Sequence, residues 1–200
     1  MASPERIDQL RRLSPVFRAR DAVAAGLSWR DLYQLRDEGI VVSLSRGVYQ
    51  LAERGGADAI DFVTVCHRAP HGMICLNSAL AYWDLTDQIP AEVHLAVSKG
   101  ATRPTIDYPP TVVHIYEPST FELGRVRIDT VDHMEFWITD RERTVVDAHR
   151  MRHRLGQDVA SHALRRYVAQ PRRDLARLVD VAHELRAEGT MRRDLQVLLG

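Results

Sequence analysis

The sequence has few cysteines, almost no lysine and no long uncharged apolar run. The two cysteines in a chain of 200 residues are too few for a disulfide framework, and no apolar leader precedes them, so we expect a reducing, cytoplasmic location. The longest uncharged stretch, residues 70–83, is too short and too polar to span a bilayer, which predicts that there is no membrane partner. The sequence also lacks the G-x-S-x-G, P-loop and H-E-x-x-H patterns, which excludes several common enzyme signatures.

The net charge of zero conceals an uneven distribution. Residues 1–54 carry +2, residues 55–140 carry −7 and residues 141–200 carry +5. Because charge acts locally, the neutral total does not exclude a nucleic-acid partner. The arginines of the C-terminal block can form a solvated surface, or they can contact phosphates or an acidic partner. They include Arg150, Arg152, Arg154, Arg165, Arg166, Arg172 and Arg173.

Hydrophobic periodicity and turn residues divide the chain into three blocks and predict an α+β fold. Residues 1–54 are predicted to form a winged helix-turn-helix domain that ends in a linker at residues 53–56. Residues 55–200 are predicted to form a second domain. In that domain a mixed sheet occupies residues 60–138 and a helical bundle occupies residues 139–200.

The pattern in the first block is helix, glycine turn, helix and hairpin. Ser3 and Pro4 suit the start of a first helix, and a second helix is predicted at residues 18–25. Gly26 follows as a C-cap, and Ser28 caps a third helix, of which Leu32 and Leu35 form the buried side. Two strands, at residues 40–44 and 48–51, flank a tight turn. This order predicts a winged helix-turn-helix whose third helix can enter the major groove.

The outward-facing residues of this third helix and of the hairpin turn are the candidate DNA-binding residues. A phosphate is favoured at the helix N-terminus, and an arginine at the hairpin tip can reach the backbone or the minor groove. The alternative is a small helical domain with a solvated polar face, in which the two aromatic residues pack on neighbours. The candidates are Ser28, Trp29, Arg30, Tyr33, Gln34, Arg36 and Arg46.

In the second domain the pattern predicts a short helix at residues 77–84 and four strands, at residues 92–98, 111–117, 125–131 and 134–139. The last two strands are predicted to form a hairpin around Asp132 and His133. Thr139 is predicted to cap the next helix, with Glu142 completing a capping box. Further helices are predicted at residues 158–169 and 171–187, and a last one at residues 191–199 is predicted to be capped by Thr190.

Three charged residues at the start of the C-terminal block are candidates for contact with a partner protein: Arg141, Arg143 and Asp147. The last two are spaced as an i, i+4 pair, which contributes only about 0.3–0.5 kcal/mol when exposed. The alternative is a structural ion pair that fixes this helix on the sheet.

The sequence gives less support to two other kinds of site, a metal site and a phosphotransfer site. The spacing of Cys66, His67, His71 and Cys75 is not a usual ligand pattern, so we expect no metal site. Phosphotransfer would need a lysine such as Lys99 for phosphate oxygens and a carboxylate, Asp140 or Asp147, for a metal ion. The usual kinase signatures are absent from the sequence, and a surface loop is the alternative position for the lysine.

The stretch FRARDAVAAGLSWRDLYQLRDEGIVVSLSRGVYQLA, residues 17–52, resembles the winged helix of AbiEi-type antitoxins. The resemblance rests on the Gly-Leu-Ser turn at residues 26–28, on Gly39 and on the Arg-Gly-Val-Tyr element at residues 46–49. Downstream, residues 76–81, 85–86 and 93–97 are similar to the middle segment of the family. Residues 141–147 and 164–167 resemble the start of a characteristic helix and a following element.

This resemblance implies a bicistronic type IV toxin–antitoxin module. The N-terminal domain would repress the shared promoter by binding operator DNA with inverted repeats, and the C-terminal domain would neutralise a nucleotidyltransferase-like toxin. We expect no cofactor. ATP and Mg²⁺ would be needed only in the alternative in which the antitoxin is an atypical kinase that inactivates its toxin. The oligomeric state stays open, because a monomer would need two copies to occupy an inverted repeat.

Overall fold

The computed structural model describes residues 4–54, 59–130 and 134–199, and it confirms the α+β fold class. Its helices are α1 (Pro4–Arg11), α2 (Ala19–Ala24), α3 (Trp29–Asp37), α4 (Ile60–Arg68), α5 (Leu76–Tyr82), α6 (Pro118–Phe121), α7 (Arg141–Arg150), α8 (Arg152–Leu155), α9 (Gln157–Ala169), α10 (Leu175–Glu184) and α11 (Glu188–Leu199). Its strands are β1 (Val16–Arg18), β2 (Val41–Ser45), β3 (Val48–Leu51), β4 (Met73–Ile74), β5 (Val93–Ser98), β6 (Thr111–Tyr116), β7 (Arg125–Asp129) and β8 (Glu135–Thr139).

The N-terminal domain has the predicted winged-helix arrangement of three helices and a β-hairpin. Strands β2 and β3 pair antiparallel, and β1 adds to the other edge of β3, giving the order β1-β3-β2. Leu10, Leu32 and Leu35 meet in the interior of this domain with at most 1% of their surface exposed. The short strand β1 was not predicted, because three residues carry too little periodicity. Arg18 lies in this strand, so the second helix begins one residue later than predicted.

The second domain is built on a mixed sheet of five strands in the order β6-β5-β4-β8-β7. The β5–β6 and β4–β8 pairs are parallel, whereas β4–β5 and β7–β8 are antiparallel. Helix α4 packs against one side of this sheet, and the bundle of α7 and α9–α11 forms a separate core that Leu80 and Leu85 also enter. The turn predicted at Asp132 and His133 lies outside the described residues, as do Ser3 and the glycines of the predicted linker.

The predicted cap at Thr139 is wrong, because strand β8 continues through this residue and pairs it with Arg125. The cap is Asp140, whose carboxylate accepts a hydrogen bond of 2.7 Å from the amide of Arg143. The Thr139 hydroxyl instead lies 2.7 Å from the hydroxyl of Thr144 inside the protein. Both residue types are good caps, so the local sequence could not distinguish them.

The helices predicted at residues 171–187 and 191–199 are also shifted. Helix α10 begins at Leu175, because the Tyr167 hydroxyl accepts a hydrogen bond of 2.7 Å from the amide of Asp174 and holds this segment outside the helix. Asp174 then caps α10 through the amide of Arg177. Thr190 lies within α11 and does not precede it. In the first case a tertiary contact overrides the local preference for proline at a helix start.

The two domains share a continuous hydrophobic contact through α4, a helix that was not predicted. Val16 and Val48 of the small sheet are at most 1% exposed and pack in the same cluster as Val63 and Val65 of α4. At the end of this helix, the Arg68 guanidinium donates hydrogen bonds to the carbonyls of Arg46 (2.8 Å) and Thr105 (3.0 Å). The winged helix is therefore fixed to the second domain.

Candidate functional site

The turn between α2 and α3 sets the direction of the third helix. Gly26 adopts a φ of +101°, a left-handed conformation that glycine reaches without a steric cost. Its amide donates to the carbonyl of Val23, and the amide of Leu27 donates to the carbonyl of Ala22. Leu27 is 3% exposed, so the turn is anchored in the domain core immediately before α3 begins.

Ser28 caps α3 as predicted. Its hydroxyl accepts a hydrogen bond from the amide of Asp31, and its own amide donates to the Asp31 carboxylate at 2.9 Å. The hydrogen bonds that the Ser28 amide and hydroxyl donate to the Asp31 carboxylate lower its pKa. Asp31 also pairs with Arg6 of α1 at 3.0 Å. The hydroxyl of Ser28 is thus already engaged in the cap, and its geometry supports a structural role in orienting α3.

The outer face of α3 carries an exposed aromatic pair. Trp29 and Tyr33 are 53% and 45% exposed, and their ring centroids lie 6.5 Å apart. The Arg36 guanidinium carbon lies 5.1 Å from the Tyr33 ring centroid, and its NH2 group pairs with Asp37 at 2.7 Å. Because these rings remain in contact with solvent, the second domain does not cover the face that sequence reasoning assigned to DNA.

Arg30 on α3 and Arg46 in the β2–β3 turn are exposed arginines. Within the described residues, neither guanidinium forms an ion pair. Gln34 is half-buried, and its side-chain amide donates to Glu38 at 2.9 Å. The structure therefore leaves Arg30 and Arg46 available to phosphate oxygens, whereas Arg36 and Gln34 have intramolecular partners.

The segment that contains this glycine turn, the capped helix α3 and the wing also matches a protein-family model. Residues 5–52 match the family model of "Transcriptional regulator, AbiEi antitoxin". The match covers the winged helix and confirms the predicted AbiEi resemblance in this domain.

The match ends before the second domain, so the role of that domain rests on its own structure. A comparison with curated proteins gives no match to the chain. Within the described residues, no helix is both long enough and apolar enough to cross a membrane.

In the second domain, the structure brings Arg143 and Asp147 together in the interior. Each is 1% exposed, and the Arg143 Nε donates to the Asp147 carboxylate at 2.7 Å. The Arg143 NH1 group also donates to the carbonyls of Thr120 (2.7 Å) and Leu123 (3.0 Å). This geometry fits the structural alternative, in which the pair fixes α7 to α6 and to the loop that follows it, and it buries both side chains.

Arg141, the third candidate for partner contact, lies at the start of α7 and is half-buried. Its guanidinium carbon lies 5.0 Å from the ring centroid of Trp83. Arg141 is therefore more accessible than Arg143, and of the three predicted contact residues it is the one that a partner could reach most readily.

The residues named for phosphotransfer do not converge on a free metal position. Lys99 pairs with Glu117 at 3.0 Å on the surface. Both carboxylate oxygens of Asp147 bind arginines, Arg143 and Arg150. Those of Asp140 accept from the amide of Arg143 and from the side chain of Arg177. Each of these groups thus has a partner that stabilises the fold.

The cysteines are buried and separate from any cluster of ligands. Burial raises the pKa of the Cys66 thiol to about 12, and it also raises that of Cys75, so both remain protonated thiols at neutral pH. Among residues 4–54, 59–130 and 134–199, there is no group of three or more His, Cys, Asp or Glu side chains that could hold a metal ion.

Sequence reasoning missed Arg68, whose guanidinium connects the wing to the second domain. Its position at the end of α4 could have suggested a helix C-terminus, where basic residues are favoured. Its partners are backbone carbonyls distant in the chain, which no local pattern reveals.

Proposed function

We propose that the chain is a repressor that binds operator DNA with inverted repeats through α3 and the β2–β3 wing, and so regulates its own transcription. The single observation that carries this proposal is the exposed face of α3, anchored by Gly26 and Ser28 and not covered by the second domain. The family match of residues 5–52 supports the same conclusion.

The chemistry of this face suits a duplex. An α-helix fits the major groove, and its N-terminal residues then approach the base edges. Trp29 and Tyr33 supply apolar surface for contact with thymine methyl groups or sugars. Arg30 lies between them in sequence and is exposed. Asp37 and Glu38 at the other end of α3 repel phosphates, so the N-terminal half of the helix is the part that reads DNA.

The wing adds a second cation to this surface. Arg46 lies at the tip of the β2–β3 turn, and the Arg68 guanidinium holds its backbone carbonyl. A fixed wing loses little conformational freedom on binding, which favours a contact with the phosphate backbone or the minor groove. Two copies of the chain, one on each half-site, would occupy an inverted repeat.

The test is fluorescence anisotropy of the full-length protein with the DNA that precedes its own gene, over a range of salt concentrations. Arg30→Ala and Arg46→Ala should each weaken binding and reduce the slope of log K against log salt by about one for each lost phosphate contact. Arg165→Ala, an exposed arginine of α9, is the matched control and should leave the slope unchanged. Equal slopes for all three variants and the wild type would contradict the proposal.

We propose further that the second domain neutralises a nucleotidyltransferase-like toxin encoded beside it. The support is the description of the matched family as an antitoxin, together with a second domain that is fixed to the winged helix and leaves the outer face of α3 exposed. The half-buried Arg141 is the predicted contact residue that remains within reach of a partner.

Separation of the two activities tests this proposal in the intact chain. The double variant Arg30→Ala/Arg46→Ala should fail to bind the promoter yet still rescue growth when the neighbouring toxin is induced. Loss of rescue together with loss of DNA binding would show that neutralisation is only transcriptional. The intact mass of the toxin after incubation with the protein and ATP should be unchanged, and an added phosphate would favour the kinase alternative instead.

A further inference from the structure

A cleft of about 1040 Å³ lies between the edge strand β6 and the helices α7 and α8 of the second domain. The turn after α10 forms its third side. Strands β5 and β6 are parallel, and the carboxyl ends of parallel strands are a common place for ligands in α/β sheets. The buried Arg143–Asp147 pair forms part of the floor of this cleft.

Three exposed arginines from three different elements converge on this cleft: Arg150 of α7, Arg154 of α8 and Arg186 of the turn after α10. Arg150 pairs with Asp147 at 2.9 Å. In the part of the chain that the structure describes, the guanidinium groups of Arg154 and Arg186 form no ion pair. Arginine side chains in such a position bind phosphate oxygens with paired hydrogen bonds.

Tyr116, at the end of β6, lines the cleft beside these arginines. The residue is 8% exposed, and the Arg143 guanidinium carbon lies 5.2 Å from its ring centroid. Burial and the charge of Asp147 hold the pKa of Tyr116 well above its usual range, so its side chain adds no negative charge to the floor of the cleft.

The backbone at Arg186 adds a further observation. Its φ of +55° is left-handed, at the C-terminal end of a helix where glycine is the usual residue. An arginine here is strained relative to glycine, and strained residues cluster at binding sites. The conformation directs a long cationic side chain to the rim of the cleft, where a glycine would place none.

The rest of the lining is mixed. Its carboxylates are Glu117, which pairs with Lys99 at 3.0 Å, and Glu184. An apolar wall is formed by Ile115, which is 54% exposed on β6, together with Val113, Met151 and Leu185. Arginines beside an apolar wall match a ligand that has phosphates at one end and a flat, weakly polar group at the other. We propose that this cleft binds a nucleoside polyphosphate, with its phosphates on Arg154 and Arg186 and its base against Ile115 and Met151.

Calorimetric titration of the full-length protein with ATP and with GTP tests this assignment, with inorganic pyrophosphate as the probe for phosphates alone. Arg154→Ala and Arg186→Gly should each weaken nucleotide binding by about tenfold or more, as expected for a lost charge-assisted hydrogen bond. Arg186→Gly also relieves the strained backbone, so this variant should unfold at a temperature no lower than that of the wild type, which a thermal melt checks. Arg165→Ala, outside the cleft, should bind nucleotides as the wild type does.

Three results would overturn the proposal. Equal binding in all variants would show only general attraction of anions. Pyrophosphate binding as tightly as ATP would remove the role of the apolar wall. A short single-stranded RNA that binds through Arg154 and Arg186 when ATP and GTP do not would assign the cleft to nucleic acid. Promoter binding should be unaffected by Arg186→Gly, so this test is independent of the repressor proposal.

Discussion

Loss of the buried ion pair between Arg143 and Asp147 should destabilise the protein more than loss of an ordinary surface pair would. Replacing Arg143 with alanine removes the 2.7 Å contact to Asp147 and two hydrogen bonds to the carbonyls of Thr120 and Leu123. Asp147 is 1% exposed, so its carboxylate would stay buried with Arg150 as its remaining charged partner. The Arg143→Ala variant should therefore be strongly destabilised.

The expected size follows from the burial of both groups. Breaking a buried pair by removing one partner costs about 3–5 kcal/mol, because the other charge is left uncompensated. For a chain of 200 residues this corresponds to a fall of roughly 6–20 °C in Tm. Arg150 bonds to the same carboxylate at 2.9 Å, but its side chain is 41% exposed. Arg150→Ala should therefore cost only about 0–1 kcal/mol.

Urea denaturation followed by circular dichroism measures both variants under one condition. The reasoning depends on the difference between two arginines that share one carboxylate and differ in burial. If the free energies of unfolding of Arg143→Ala and Arg150→Ala agree within about 0.5 kcal/mol, burial does not decide the contribution of this pair, and the argument is wrong.

Two further perturbations test other parts of the structure. Gly124 has a φ of +65°, and a Cβ there would lie 2.7 Å from the Arg143 Cβ, so Gly124→Ala should destabilise the protein by more than about 2 kcal/mol. Gly47→Ala, at a φ of +74° with nothing described within 4 Å, should cost only about 1–2 kcal/mol in the same denaturation assay. Burial, together with the charges of His94 and Arg154, lowers the pKa of His114 to about 4. Because the unfolded state binds this proton more readily, stability should fall as the pH decreases from about 6.5 to 4, and denaturation at several pH values should show a flatter profile for His114→Asn. An unchanged profile would contradict the assignment.

Local sequence patterns were sufficient to predict the elements whose conformation depends on neighbouring residues. Gly26 followed by Ser28 predicts both the turn and the start of α3, and the i, i+3 spacing of Leu32 and Leu35 predicts the buried side of that helix. The exposed face of α3 follows from the same periodicity. These features depend on contacts within a few residues, which a sequence displays directly.

Prediction failed where contacts with residues elsewhere in the chain determine the bounds of an element or the burial of a side chain. Tyr167 holds Asp174 outside a helix from seven residues away, and strand pairing with Arg125 extends β8 through Thr139. The spacing of Arg143 and Asp147 indicated an ion pair, but its burial depends on the carbonyls of Thr120 in α6 and of Leu123 after it. The cleft could not be predicted either, because Tyr116 and Arg186 come from elements far apart in the chain.

The valines that join the small sheet to α4 limit how this chain can be truncated or recombined. A fragment that stops near residue 54 would expose Val16 and Val48 to water, since their neighbours Val63 and Val65 lie beyond the cut. An exchange of residues 4–54 between two such chains would therefore have to keep the matching side of α4. The surface of the second domain thus restricts which N-terminal domains can be joined to it.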